Sequence, residues 1–176
     1  EQRPQPQQQP QQPSQSPAAT GADLCPLQVD RRTRGGRKLR CIRAVVDSGA
    51  EASVVPPRLF EEKVTPSAMS KAGGRYRAAN GGRIPNLGEQ RVLFETEEGA
   101  ACQIALQVAE VEKPLIAVSD LGAAGNEVHF GAKGGKIVNI ASKKETQLVR
   151  EGGVYILKMW VADGPPADFR RQGLRQ

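Results

Sequence analysis

The sequence predicts a small, mainly β domain, closed or folded back on itself to limit its edges, and three observations carry that expectation. Apolar residues recur at a period of two in several segments, turn-forming residues separate those segments, and a helical period is nearly absent. The chain has 176 residues, enough for one domain with tails. Aromatic residues make up only 4%, with one Trp, so the core must be assembled from Val, Ile, Leu and Ala.

Of the first 17 residues, 13 are Gln or Pro. Such a stretch holds too little apolar surface to offset the entropy of ordering it, so residues 1–28 read as a disordered Gln/Pro-rich linker. RRTRGGRKLR, residues 31–40, has six basic side chains in ten and accounts for much of the formal net charge of +6. The run from Arg31 to Arg40 is a candidate for weak RNA contact through phosphates. No aromatic residues interleave with it as a base-stacking surface requires, and a solvated connector is the simpler reading.

LRCIRAVVD then alternates: Ile42, Ala44 and Val46 share one face, and Cys41, Arg43 and Val45 the other, which describes a half-buried strand. RYRAANGGRIPNLGEQ sets Asn80, Gly81 and Gly82 between two extended arms, a hairpin signal because Asn and Gly tolerate positive φ. Pro85 disfavours a paired central strand there and favours an exposed ribbon. RVLFET and CQIALQVAEV form a hairpin across EEGA, with Cys102, Ile104, Leu106 and Val108 on one side. One short helix at most is expected, starting at Ser119, whose hydroxyl is placed to cap it. VHF and KIVNI flank GAKGG as a further hairpin, and VREGGVYILKMWV supplies the last strand. The expected organisation is a domain over 29–141, a C-terminal strand or hairpin extension over 142–161, and a disordered tail over 162–176.

Cys25, Cys41 and Cys102 are odd in number and widely spaced, which is neither a disulfide framework nor a metal pattern. A reducing, cytoplasmic compartment follows, with no metal and no cofactor. No apolar run approaches the length of a membrane span. Because the chain starts at Glu1, it reads as part of a longer protein.

The chemistry concentrates in AVVDSGAEASVV, residues 44–55, where an apolar run ends in an acid. As a plain turn, Asp-Ser-Gly is ordinary. As a serine hydrolase site, Ser48 lacks a base: the sole histidine is His129, placed as a strand residue between Val128 and Phe130, and no G-x-S-x-G elbow occurs. As an aspartic-protease site, Asp47 needs a second carboxylate so that the two share one proton, one acting as base and the other as acid. The chain offers one such triplet and no duplicated half, so the second acid must come from another copy through a twofold axis.

In these features the sequence resembles the retropepsin-like aspartic proteases, and among them the protease region of copia-type retrotransposon polyproteins. VVDSGAEASVVP resembles the family's apolar-apolar-Asp-[Ser/Thr]-Gly-Ala segment, AANGGRIPNLGEQRV its flap ribbon, and KPLIAVSDLGAAGNEVHFGAKGGKI the later run that passes behind the catalytic loop. The resemblance implies a retropepsin-like closed β-barrel or sandwich half with a flap hairpin, active as a homodimer on a peptide or polyprotein, in the cytoplasm or within retroelement particles. It implies Asp47 as the catalytic acid and base, Ser48, Gly49 and Ala50 as support of the catalytic loop, Asn80, Gly81 and Gly82 as the substrate-covering flap tip, and Ile116 and Ala117 as a second supporting element. Two departures stand out: Ser48 replaces the commoner Thr, and Ala117 stands where many members have Gly. The competing expectation is a catalytically inactive dimerisation or nucleic-acid-binding module using the Arg31–Arg40 run.

Overall fold

A computed structural model describes residues 30–78 and 81–163. The linker expected over 1–28, Cys25, Asn80 and residues 164–176 of the expected tail lie outside the described residues, while Ala162, expected to open that tail, ends a strand. The strands are β1 (Arg31–Arg34), β2 (Arg37–Asp47), β3 (Val54–Val55), β4 (Arg75–Arg77), β5 (Arg83–Glu95), β6 (Ala101–Ala109), β7 (Leu115–Ala117), β8 (Asn126–Gly131), β9 (Gly134–Asn139), β10 (Glu145–Glu151) and β11 (Val154–Ala162). The basic run read as a solvated connector is instead a hairpin, with β1 paired to the start of β2. Two short helices accompany them, α1 (Ala68–Lys71) and α2 (Val118–Ala123). The chain is mainly β, as its alternation predicts.

The helices correct the expectation of at most one. α1 is a single turn, too short to leave a helical period, and a reciprocal cap holds it: Ser67 Oγ accepts from Ser70 N at 3.1 Å, and Ser67 N donates to Ser70 Oγ at 2.9 Å. α2 lies where a helix was expected, but Ser119 does not cap it. Its N-cap is Ala117, with no side-chain cap bond, because the chain enters the helix straight from β7.

The sheet runs β1-β2-β7-β3-β6-β5-β11-β10-β9-β8, with β4 paired to β5 and β2 also paired to β11. That extra pairing closes a ring through β2, β7, β3, β6, β5 and β11, whose β5–β11 link is the single bridge between Trp160 and Glu95. Closure removes edges that would otherwise expose unpaired backbone groups. The expected inward face of β2, namely Ile42, Ala44 and Val46, packs with Val92, Phe94, Leu106, Val108, Leu157 and Met159 in one buried cluster.

Segment 142–161, read from sequence as a C-terminal strand or hairpin extension, forms the hairpin of β10 and β11, and β11 is a wall of this ring. β11 runs antiparallel to β2 from Tyr155 beside Val46 to Ala162 beside Leu39, and it contributes Leu157, Met159 and Val161 to the core. It turns out of β10 through Gly152 and Gly153, at φ 54° and 84°, a pair of left-handed residues of the kind a tight hairpin needs. The expected β5–β6 hairpin forms, from Glu95 beside Ala101 down to Asn86 beside Ala109. A bulge interrupts it between Asn86 and Gly88, where Gly88 at φ 141° passes so close to Thr65 that an added Cβ would stand 2.6 Å from the carbonyl oxygen. The far end of β5 leaves the ring as a ribbon with β4, and Pro85 is exposed there opposite Arg75.

Candidate active site

Asp47 is the last residue of β2. The apolar run drives β2 through the core, and the chain then turns at the first residues that favour turns. Asp47 Oδ1 accepts a hydrogen bond from Gly49 N at 2.8 Å, which fixes the carboxylate over its own turn. Ser48 and Gly49 are exposed, and Ala50 is half-buried. On one side of β2 runs β7, parallel, with Val46 beside Ile116 and Asp47 beside Ala117. On the other runs β11, whose Tyr155 sits beside Val46. Ile116 and Ala117 are both fully buried, so the Ala117 methyl has a packed place behind the Asp47 loop.

Ser53, a residue sequence reasoning did not single out, ties this region together. Its Oγ accepts from Ala117 N at 3.0 Å, its N donates to Asp120 Oδ2 at 2.7 Å, and its carbonyl accepts from Gln107 N at 2.9 Å. One buried serine thus joins the segment after the Asp47 turn to β7, α2 and β6. The available signal was a small hydroxyl residue inside an apolar run, where a side chain that bonds backbone is favoured over one facing solvent. Ser53→Ala is expected to strand the buried Ala117 N–H and cost about 1–3 kcal/mol of stability. An unchanged urea midpoint and slope would show that this bond contributes nothing.

At the ribbon, the tip is closed by Gly81 N donating to Ala78 O and Ala78 N donating to Gly82 O, both at 2.8 Å. Gly81 is left-handed at φ 83°, and Gly81 and Gly82 are exposed. Asn86, buried at the ribbon base, donates from Nδ2 to Tyr76 Oη at 2.7 Å and to Gln107 Oε1 at 2.8 Å, while its Oδ1 accepts from Gly88 N at 2.8 Å. Gln107 Nε2 in turn donates to Glu89 Oε2 at 3.1 Å. Burial pushes the Tyr76 phenol pKa up; the Asn86 bond opposes that, and the charge of Asp120 adds to it. Asn86, Tyr76, Glu89 and Gln107 also went unread in the sequence, since polar side chains two apart on a strand look like a solvated face.

A cleft of about 840 Å³ opens beside this network, lined from Ser67, Met69 and Tyr76 past Asp120 and Leu121 to Ile137 and Asn139. Ala52 lines it close after the Asp47 turn, but Asp47, Ser48 and Gly49 do not.

The basic run is largely engaged within the fold. Arg31 Nε pairs with Asp163 at 3.4 Å, Arg34 with Glu95 at 3.4 Å, and Arg40 donates to Leu59 O at 2.6 Å. The Arg32 guanidinium lies 3.9 Å over the Trp160 ring, whose Nε1 donates to Glu97 at 2.7 Å. His129 lies on β8 as a strand residue, 3.5 Å from Glu127. Cys41 and Cys102 are free thiols whose pKa values burial pushes up, which suits packing rather than nucleophilic chemistry. No helix among the described residues is long and apolar enough to cross a membrane. Comparison with protein-family models, with curated proteins and with solved structures finds no match for this chain.

Proposed function

We propose that the chain is a retropepsin-like aspartic endopeptidase of the copia retroelement type, active as a homodimer and cutting the polyprotein to which it belongs. The observation that carries this reading is the placement of Asp47: the acid ends a central strand, its carboxylate is held by Gly49 N, and β7 packs behind it through Ala117. A lone carboxylate cannot act as base and acid together, whereas two sharing one proton can.

In the dimer, the Asp47 pair activates a water that attacks the scissile carbonyl and then returns a proton to the leaving amine. Ser48, exposed at the turn, offers its hydroxyl across the axis to hold the two loops in register. An added Cβ at Gly49 would meet only Asp47 Oδ1, at 3.4 Å, among the described residues. Packing within one chain therefore does not require this glycine, and close passage of a substrate backbone would. The ribbon ending at Gly81 and Gly82 covers an extended peptide and offers it backbone hydrogen bonds. The site lies between protomers, at the turn where Ser48 and Gly49 are exposed. Arg32, packed over Trp160, and Arg40, bonded to the Leu59 carbonyl, are held within the fold, which leaves less of the run for phosphates and weighs against the nucleic-acid-binding alternative.

The test is cleavage of a peptide mixture by the purified chain across a dilution series, with and without a pepstatin-like inhibitor. Inhibitor-sensitive cleavage is expected, with specific activity falling once the chain is diluted below its dimer dissociation constant. No cleavage at any concentration, or cleavage indifferent to the inhibitor, overturns the reading.

A further inference from the structure

The cleft beside the ribbon has a mixed character that its position turns into a recognition element. Its walls come from α1 with Met69, the ribbon strand β4 with Tyr76, and α2 with Leu121, so its sides are largely apolar. Two carboxylates, Glu89 and Asp120, also line it, together with the neutral amide of Gln107. No Lys or Arg is among its lining residues. A chain of formal charge +6 therefore keeps one concave region acidic.

Both carboxylates are oriented by donors that do not neutralise them. Asp120 Oδ2 accepts from the backbone of Ser53, and Glu89 Oε2 accepts from Gln107 Nε2. Among the described residues, the cation paired with either group is Arg91, whose Nε is 3.6 Å from Glu89 Oε1 and whose side chain is 73% exposed. Such a surface pair contributes little and is readily exchanged for a better-placed cation. Asp120 on α2 and Tyr76 on the ribbon line the same cleft, and the Asp120 charge adds to the rise that burial gives the Tyr76 phenol pKa.

We propose that this cleft is a specificity pocket for a basic side chain, Arg or Lys, of the extended peptide that the protease cuts. The inference rests on the protease reading and deepens it by naming the substrate class. The methylene stem of the side chain packs against Met69 and Leu121 while its charged head meets Glu89 and Asp120. Ala52, close after the Asp47 turn, and Tyr76, on the ribbon, connect the pocket with the two elements that would hold the substrate backbone. Segments of suitable chemistry lie in the chain itself, which continues past Asp163 into ADFRRQGLRQ, with Arg170 and Arg171 adjacent.

The experiment is a peptide mixture randomised on both sides of the cut and read by mass spectrometry, followed by matched peptides bearing Arg or Leu at the selected position. The wild-type chain is expected to select Arg or Lys at one position, with a ratio of kcat/KM for Arg over Leu of about tenfold, as one favourable charged contact gives. Glu89→Gln with Asp120→Asn should bring that ratio close to one, since both replacements keep an oxygen to accept from Gln107 and Ser53 but remove the charge. Glu89→Lys, which adds a repelling cation, should move the preference at that position towards Glu; it provides a separate readout should the double variant fail to fold. Cleavage of the mixture with no basic preference, or a preference that survives these substitutions, overturns the pocket and leaves the protease reading standing. Failure of the wild-type chain to cut anything overturns both.

Discussion

A chain carrying Asp47→Asn is expected to keep its fold and to lose peptide cleavage by about 10²–10⁴-fold, the range that a positioned acid-base group contributes. The fold survives because an asparagine side-chain oxygen still accepts from Gly49 N, as the Asp47 carboxylate does across the turn. The proton that the proposed pair of carboxylates shares does not survive, since an amide neither takes nor gives it at neutral pH. Subunit mixing makes the result diagnostic of the proposed twofold site. When equal amounts of wild-type and variant chains re-equilibrate, only about a quarter of the dimers carry two Asp47 residues, so a fixed amount of wild-type chain should fall to about half its activity. If each protomer held a complete site, the variant would act as a bystander and the activity would not move. The measurement is therefore cleavage against variant fraction at a concentration where dimers dominate and exchange.

Some of this architecture was legible in the chain because it is local. The alternation around Ile42, Ala44 and Val46 forces one face of β2 into the core whatever its neighbours are, and Gly81-Gly82 announces a hairpin through backbone freedom alone, whereas Gly152-Gly153, read as lying inside one last strand, turns the chain between β10 and β11. Which strands meet was not legible. β2 lies between β7 and β11, whose residues follow it by about 70 and 110 positions, and no local pattern encodes that choice. The same limit applies to the site. Asp47, Ser48 and Gly49 form one contiguous motif. Ser53, Asp120 and Gln107 converge only after β3, β6 and α2 have come together, so each looked like an ordinary polar residue beforehand. α1 escaped for the opposite reason: its capping pair, Ser67 and Ser70, is local, but the turn between them is too short to show periodicity.

The position of β11 has the largest consequence for stability. A chain ended after Ile140 contains every segment that resembles the family's protease motifs, yet it is expected not to fold cooperatively. Such a truncation removes Leu148, Ile156, Leu157, Met159 and Val161 from the buried interior, each side chain contributing about 1.5–3 kcal/mol. Their loss matches or exceeds the total stability of about 5–15 kcal/mol that a domain of this kind possesses. It also exposes the edge of β2 from Leu39 to Val46, an apolar strand suited to pairing with other chains. The truncated chain should therefore show no sharp melting transition and should aggregate. A milder change in the same wall, Met159→Ala, should leave a cooperative transition but lower stability by about 2–5 kcal/mol, because Met159 is fully buried in the main cluster. The link to chemistry is direct: Val46 is held between Ile116 and Tyr155, so without β11 the strand that presents Asp47 is supported on one side only. Cooperative melting and cleavage by the shorter chain would show that β7 alone is enough to hold the acid in place, and that the ring's closure through β11 serves neither the fold nor the site.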